Sequence, residues 1–198
     1  MNFIVDKTVL TKYQGNEENV LVPDGITVIG PYAFKNCAHL RNVLLPDSLE
    51  RIDFEAFFNC ASLEQVSIPS KVKRIDVLAF SNCSSLKEVN LCDGINEIGC
   101  GAFKNCISLK SISIPDSVLK LEDATFQGCT NLIEINCNKK KLLMSRKFGQ
   151  YTLGMEYTVI SDTPYGERRR ICSYCNNRTL NRKGKCKNCK REAKYHQP

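Results

Sequence analysis

The sequence predicts a repeat solenoid, a parallel β-sheet wound with short helical turns, followed by a small separate module. Three observations carry that expectation. A 23-residue unit occurs five times in succession, starting at Val20, Val43, Val66, Val89 and Ile112. Apolar and polar residues alternate at the start of each unit. Two closely spaced cysteine pairs, unlike anything in the repeats, end the chain.

Residues 1–19 read as an N-terminal cap hairpin. Phe3 and Val5 alternate with polar neighbours, Asp6-Lys7 can turn, and Val9-Leu10 leads toward Tyr13. A solenoid needs such a cap, because its first coil would otherwise expose an apolar face.

The solenoid proper covers residues 20–137. Each unit has aliphatic residues at its first, third, seventh and tenth positions. Phe stands at the fifteenth (Phe34, Phe57, Phe80, Phe103, Phe126), Cys at the eighteenth (Cys37, Cys60, Cys83, Cys106, Cys129) and Leu at the twenty-first. A unit of this length cannot bury its own apolar face and must bury it against its neighbours. In Glu64-Gln65-Val66-Ser67-Ile68-Pro69 the period-2 pattern marks a strand with Val66 and Ile68 inward. Proline ends the strand because it has no N–H for a ladder; Cys92 takes its place in the fourth unit. Val72–Ile75 reads as a second, shorter extended segment. Ala-Phe-x-x-Cys-x-x-Leu has the spacing of a single helical turn. Asn36, Asn59, Asn82 and Asn105, with Gly128 last, are expected to bond backbone groups at the bend. The coils should rise about 4.8 Å each.

These residues resemble the BspA-type leucine-rich repeat family. The motif I-P-x-x-V-x-x-I-x-x-x-A-F-x-x-C-x-x-L covers residues 20–137, and the opening MNFIVDKTVLTKYQGNEENVLVPDGITVIGPYAF is similar to the usual start of such arrays. The resemblance implies a curved solenoid of leucine-rich-repeat type, used for protein contact and often found on cell surfaces.

The pattern is expected to stop after Cys137. Residues 138–165 read as a C-terminal cap and linker, with a short capping helix beginning in Lys139–Met144, a strand over Glu156–Ser161 and a turn at Asp162–Gly166. Residues 166–198 form the last module. Cys172, Cys175, Cys186 and Cys189 make two Cys-x2-Cys knuckles separated by ten residues. Two such knuckles aim four sulfurs at one point, the tetrahedral set that zinc (Zn2+) takes in structural sites. The segment is too short to build a core, so metal must supply its folding energy. The module resembles a short zinc ribbon. Four thiolates leave no open position for a catalytic water, and no nucleophile set, phosphate loop or paired-carboxylate motif occurs elsewhere. The expectation is a protein that is not an enzyme. His39 and His196 read as solvated surface residues.

The net charge of +7 conceals a division. Residues 1–137 hold 12 Lys and Arg against 17 Asp and Glu; residues 138–198 hold 16 against 4. Such asymmetry suggests a basic tail that meets an anionic partner. Arg168, Arg169, Arg170, Arg178, Arg182 and Lys183, with Tyr174, are the residues that could grip a phosphate backbone and stack on a base. The solenoid's outward strand positions are Asn42 and Leu44, Gln65 and Ser67, Glu88 and Asn90, Ser111 and Ser113, Glu134 and Asn136. That stripe has no Trp, Tyr or Arg, the usual hot-spot residues.

Twelve cysteines, five in one column and four with metal spacing, suit a reducing compartment better than a disulfide scaffold. The opening residues lack the features of a secretory signal. The functional expectation is therefore a cytoplasmic, non-enzymatic protein-interaction scaffold with a structural zinc ribbon, its protein partner unidentified. The alternatives are a nucleic-acid-binding protein acting through the basic ribbon, and a secreted surface adhesin. No apolar run is long enough for membrane insertion.

Overall fold

The structure is a computed structural model that describes residues 2–137 together with strands at 143–144 and 158–160. Cys172, Cys175, Cys186 and Cys189, expected to hold zinc, and the basic residues Arg168 to Lys183 lie outside the described residues.

Strands β1 (Phe3–Asp6) and β2 (Val9–Tyr13) form an antiparallel hairpin. From there the chain winds in coils, each with a long strand, a short strand and a turn segment. The long strands are β3 (Asn19–Leu21), β5 (Asn42–Leu44), β7 (Gln65–Ile68), β9 (Glu88–Leu91), β11 (Ser111–Ile114), β13 (Glu134–Cys137) and β15 (Thr158–Ile160). The short ones are β4 (Val28–Ile29), β6 (Arg51–Ile52), β8 (Arg74–Ile75), β10 (Glu97–Ile98), β12 (Lys120–Leu121) and β14 (Leu143–Met144). The short strands extend the hairpin into one eight-stranded sheet, β1-β2-β4-β6-β8-β10-β12-β14. The long strands pair in parallel and in register within two sheets, β3-β5-β7-β9 and β11-β13-β15, Val43 opposite Val66 and Val66 opposite Val89.

The register puts the expected side chains inside. Val66 and Ile68 are buried, while Gln65 and Ser67 face solvent. Prolines 23, 46, 69 and 115 close the long strands. Each accepts a turn bond from the residue three further on, as in Leu49 N–H to Pro46 O at 3.0 Å.

The five phenylalanines are fully buried and stacked nearly parallel. Successive ring centroids lie 4.8, 5.0, 5.5 and 5.9 Å apart. The hairpin lengthens this column: Tyr13 lies 5.1 Å from Phe34 and Phe3 lies 5.3 Å from Tyr13. The cap thus joins the core by supplying two more rings.

Beside the rings runs the thiol column. Cys60, Cys83, Cys106 and Cys129 are buried and Cys37, at the end, is half-buried. Each buried thiol donates to the carbonyl of the Phe one coil earlier, from Cys60 to Phe34 at 3.0 Å through Cys129 to Phe103 at 3.0 Å. A thiol suits this place because it packs as a small hydrophobe yet still offers a weak donor.

The expected helical turn is absent; no helix occurs among the described residues. Each turn segment holds two residues in the left-handed region, which a continuous right-handed helix cannot contain. One is the Asn before Cys, with φ of 63° at Asn36, 58° at Asn59, 62° at Asn82 and 59° at Asn105. The other lies four residues earlier, at Tyr32, Glu55, Leu78, Gly101 and Ala124. Between them the amides reach forward to the next coil, Phe57 N–H to Ala79 O and Phe80 N–H to Ala102 O, both at 2.8 Å.

The asparagine side chains bond each other from coil to coil, where bonds to backbone groups were expected. Asn59 Nδ2 donates to Asn36 Oδ1 at 2.9 Å, and Asn105 to Asn82 at 2.8 Å. Asparagine fits twice over, since it tolerates positive φ and carries both a donor and an acceptor.

The winding does not stop at Cys137. Leu143–Met144 is a strand, where a capping helix was expected, and it pairs with Lys120–Leu121 one 23-residue period back. Thr158 pairs with Glu134, a spacing of 24, so a sixth coil follows with one extra residue. The strand expected within 156–161 is the last strand of that coil.

One prediction follows from the shared core. Phe80→Ala should cost roughly 3–5 kcal/mol. Denaturant unfolding should show the loss across the whole array. A change within about 0.5 kcal/mol, the size expected at a surface site, would contradict the burial of this column.

Candidate interaction surface

The long-strand face is the broadest ordered surface the repeat builds. In each coil the inward Val or Ile fixes its two flanking residues to point out. Asn42 donates to Asn19 at 2.7 Å, and Asn90 reaches Ser67 at 3.4 Å and Glu88 at 3.0 Å. Leu21 and Leu44 stand side by side in this stripe, 68% and 67% exposed. Beyond them the same position holds Ser67, Asn90, Ser113 and Asn136. One end of the face is therefore apolar and the rest polar. Glu134 and Asn136 are half-buried, unlike the exposed Gln65, Ser67, Glu88, Asn90, Ser111 and Ser113.

A line of charges flanks the stripe, at the residue just before each long strand. Arg41 lies 3.4 Å from Glu18 and 3.3 Å from Glu64, and Lys87 lies 2.7 Å from Glu64. The Lys87 ammonium, then Arg41, holds the Glu64 carboxyl below its ordinary range. Such exposed pairs are screened by water and hold long side chains in place at an entropic cost, so this line governs surface potential more than stability. A second network follows the short strands, with Arg74 on Asp76 at 3.0 Å and Lys120 on Glu97 at 2.7 Å.

The strand positions read from sequence omitted an aromatic group on the turn segments. Tyr32 meets Phe54 edge-on at 5.4 Å. Lys35 sits 4.8 Å from the Tyr32 ring and 5.0 Å from that of Phe58, and pairs with Glu55 at 2.6 Å. Tyr32, Phe54 and Phe58 stand outside the repeat consensus, which is why the periodic reading passed over them. His39 is exposed, as expected.

Cys83 and Cys106, deep in the core, are unsuited to chemistry. Burial pushes the Cys83 and Cys106 thiols up, which keeps them protonated and weakly nucleophilic. Among the described residues no group of three or more His, Cys, Asp or Glu could hold a metal. No described helix is long and apolar enough to cross a membrane.

Comparison with known proteins agrees with this architecture. The chain belongs to the family described as BspA type leucine rich repeat region, which it matches in six copies over residues 11–151. The sixth copy accords with the coil beyond Cys137. A search of curated proteins found no match. Among solved structures it is similar to a leucine rich repeat protein of T. pallidum, at 28% identity and a TM-score of 0.58, over 64% of this chain and 72% of that one. A leucine-rich repeat protein from Bacteroides ovatus is 34% identical with a TM-score of 0.57, over 65% of this chain and 32% of the other. The pneumococcal vaccine antigen PcpA is 27% identical with a TM-score of 0.63, over 80% of this chain and 40% of its own. The chain thus spans about a third of the Bacteroides protein and two fifths of the pneumococcal one.

A titration tests the cap that seats this surface. Burial, then the hydrogen bond to the Glu17 carboxylate, pushes the Tyr13 hydroxyl up to about 12. The protonated phenol is the form the fold favours, so its contribution is complete below pH 10. It should be lost as pH rises from 10 to 12. Unfolding measured across that interval should show a fall in stability that Tyr13→Phe removes. An unchanged profile in Tyr13→Phe would contradict the assignment.

Proposed function

We propose that this protein is a non-enzymatic interaction scaffold whose solenoid presents its long-strand face to a protein partner. The observation that carries the reading is the exposed pair Leu21 and Leu44, held side by side on a rigid sheet with a charged line along its flank. Membership of a leucine-rich repeat family supports it. The test is photo-crosslinking from Ser67 in cell extract, with and without Leu21→Asp plus Leu44→Asp. Both leucines are surface residues, so the double variant should fold with little change in stability. The partner captured by the natural sequence should be lost from the variant. Equal capture would place recognition elsewhere on the molecule.

The finer reading adds a structural zinc ion on Cys172, Cys175, Cys186 and Cys189. What supports it is the ligand type and the Cys-x2-Cys spacing. Native mass spectrometry should find one zinc per chain, and Cys172→Ser with Cys175→Ser should lose it while the solenoid keeps its unfolding transition. Absence of metal from protein kept reducing would end this reading. The free thiols of the core support a reducing, cytoplasmic setting, for which cell fractionation is the test. A surface location would favour the adhesin reading.

The basic balance after residue 137 favours one further role for the module, contact with a nucleic-acid backbone through Arg168, Arg169, Arg170, Arg178, Arg182 and Lys183, with Tyr174 stacking on a base. Binding of that kind weakens steeply with salt. Its absence at low salt would leave protein contact alone.

A further inference from the structure

At one rung the long-strand ladder of the solenoid is interrupted. The residue before each long strand donates its amide to its counterpart one coil back. Arg41 bonds Glu18 at 2.7 Å, Glu64 bonds Arg41 at 2.9 Å, Lys87 bonds Glu64 at 2.8 Å and Ile133 bonds Lys110 at 2.9 Å. The series skips Lys110, whose counterpart is Lys87. The strand ladder divides at the same rung, with β3-β5-β7-β9 in one sheet and β11-β13-β15 in another.

The side chains at this position give a reason. Parallel, in-register coils place each residue about 4.8 Å from its counterpart. Glu18, Arg41, Glu64 and Lys87 alternate in sign, and their ion pairs close three rungs in a row. Lys110 follows Lys87 with the same sign, and like charges directly opposite one another destabilise a pair of strands. Arg51 and Arg74 also stand opposite one another, in an intact ladder, but each pairs with an aspartate two residues on, Asp53 and Asp76. The coil between them is also the one that lacks the strand-ending proline. Cys92 stands there, exposed, and Gly94 follows at φ 128°.

The other sides of the same two coils remain joined. β10 and β12 pair in register, Phe103 N–H bonds Thr125 O at 2.9 Å, and the Cys129 thiol bonds Phe103 O at 3.0 Å. On the long-strand side the rung is held at its two ends, by Ser108 N–H to Ser84 O at 3.2 Å and Gly94 N–H to Ser117 Oγ at 3.0 Å, with no ladder between them. It is the weakest tied of the three sides, and a hinge would open there. The phenylalanine spacing widens along the column toward this rung, from 4.8 Å between Phe34 and Phe57 to 5.9 Å between Phe103 and Phe126.

We propose that the rung between β9 and β11 is a seam, at which the coils from Ser111 onward swing against the preceding ones about the continuous short-strand sheet. The long-strand face is then two platforms in place of one rigid strip. A partner that spans both holds the seam shut, and one that binds a single platform leaves it free.

Hydrogen exchange on the full chain, read by mass spectrometry, tests the seam. At low salt, amides of β11 should exchange at least about tenfold faster than those of β5 and β7, because they open without global unfolding. High salt screens the two lysines and should slow β11 exchange. Lys110→Glu, which continues the alternation, should slow it further at low salt, and Lys110→Gln should fall between. Fraying from the C-terminal end alone would make β13 exchange faster than β11 and leave both indifferent to Lys110→Glu. That result would overturn the seam, and so would protection of β11 equal to that of β7.

Discussion

The described coils answer to one constraint: each repeat residue lies beside its own counterpart, one coil away, at the spacing of a β-ladder. Whatever occupies a repeat position must therefore tolerate its own kind as a neighbour. Phenylalanine does, by stacking. Asparagine does, because it offers a donor and an acceptor at once. Cysteine does, by turning its thiol to a backbone carbonyl one coil back. Charged residues either alternate, as Glu18, Arg41, Glu64 and Lys87 show, or bring a counter-ion of their own, as the opposed Arg51 and Arg74 do in Asp53 and Asp76. At Lys110 the alternation fails, and the hydrogen-bonded ladder is interrupted at the same rung.

The same constraint explains what the sequence made legible. Positions with one permitted residue type repeat visibly, so the Phe, Cys and Leu columns and the inward Val66 and Ile68 could be placed before any coordinates. The left-handed position four residues before each Asn was invisible. It is filled by Tyr32, Glu55, Leu78, Gly101 and Ala124, which share no chemistry, and only Gly101 hints at the conformation. Asn36 and its counterparts did carry the signal for positive φ. Spacing-3 apolar residues nevertheless read as helix, because a run of linked turns and a helical turn bury the same positions. The sixth coil escaped because Leu143–Met144 keeps the ladder without the consensus around it, and its last strand arrives one residue late.

The candidate surface was half legible. Alternation identified the outward stripe, and Leu44 within it, but composition alone did not mark Leu21 and Leu44 as adjacent exposed leucines. That required the register. The aromatic group of Tyr32, Phe54 and Phe58 belongs to no column and comes together only through the stacking of two coils. The consensus residues are consumed by the core, so the departures from the consensus are what set one part of the surface apart from another. The solenoid's regularity is what makes its exceptions readable, whether Leu21, Tyr32, Cys92 or Lys110.

The central claim is that register, coil upon coil, holds the fold together. It is tested most directly by removing one coil. Thermal unfolding should be followed by circular dichroism for the chain lacking residues 66–88 and for the chain lacking residues 66–87. The first deletion takes out one whole period and rejoins Gln65 to Val89, so it should unfold cooperatively at a somewhat lower temperature. The second leaves a one-residue slip inside the array, which turns inward side chains outward, and it should lose the cooperative transition. Equal behaviour of the two chains would contradict the account.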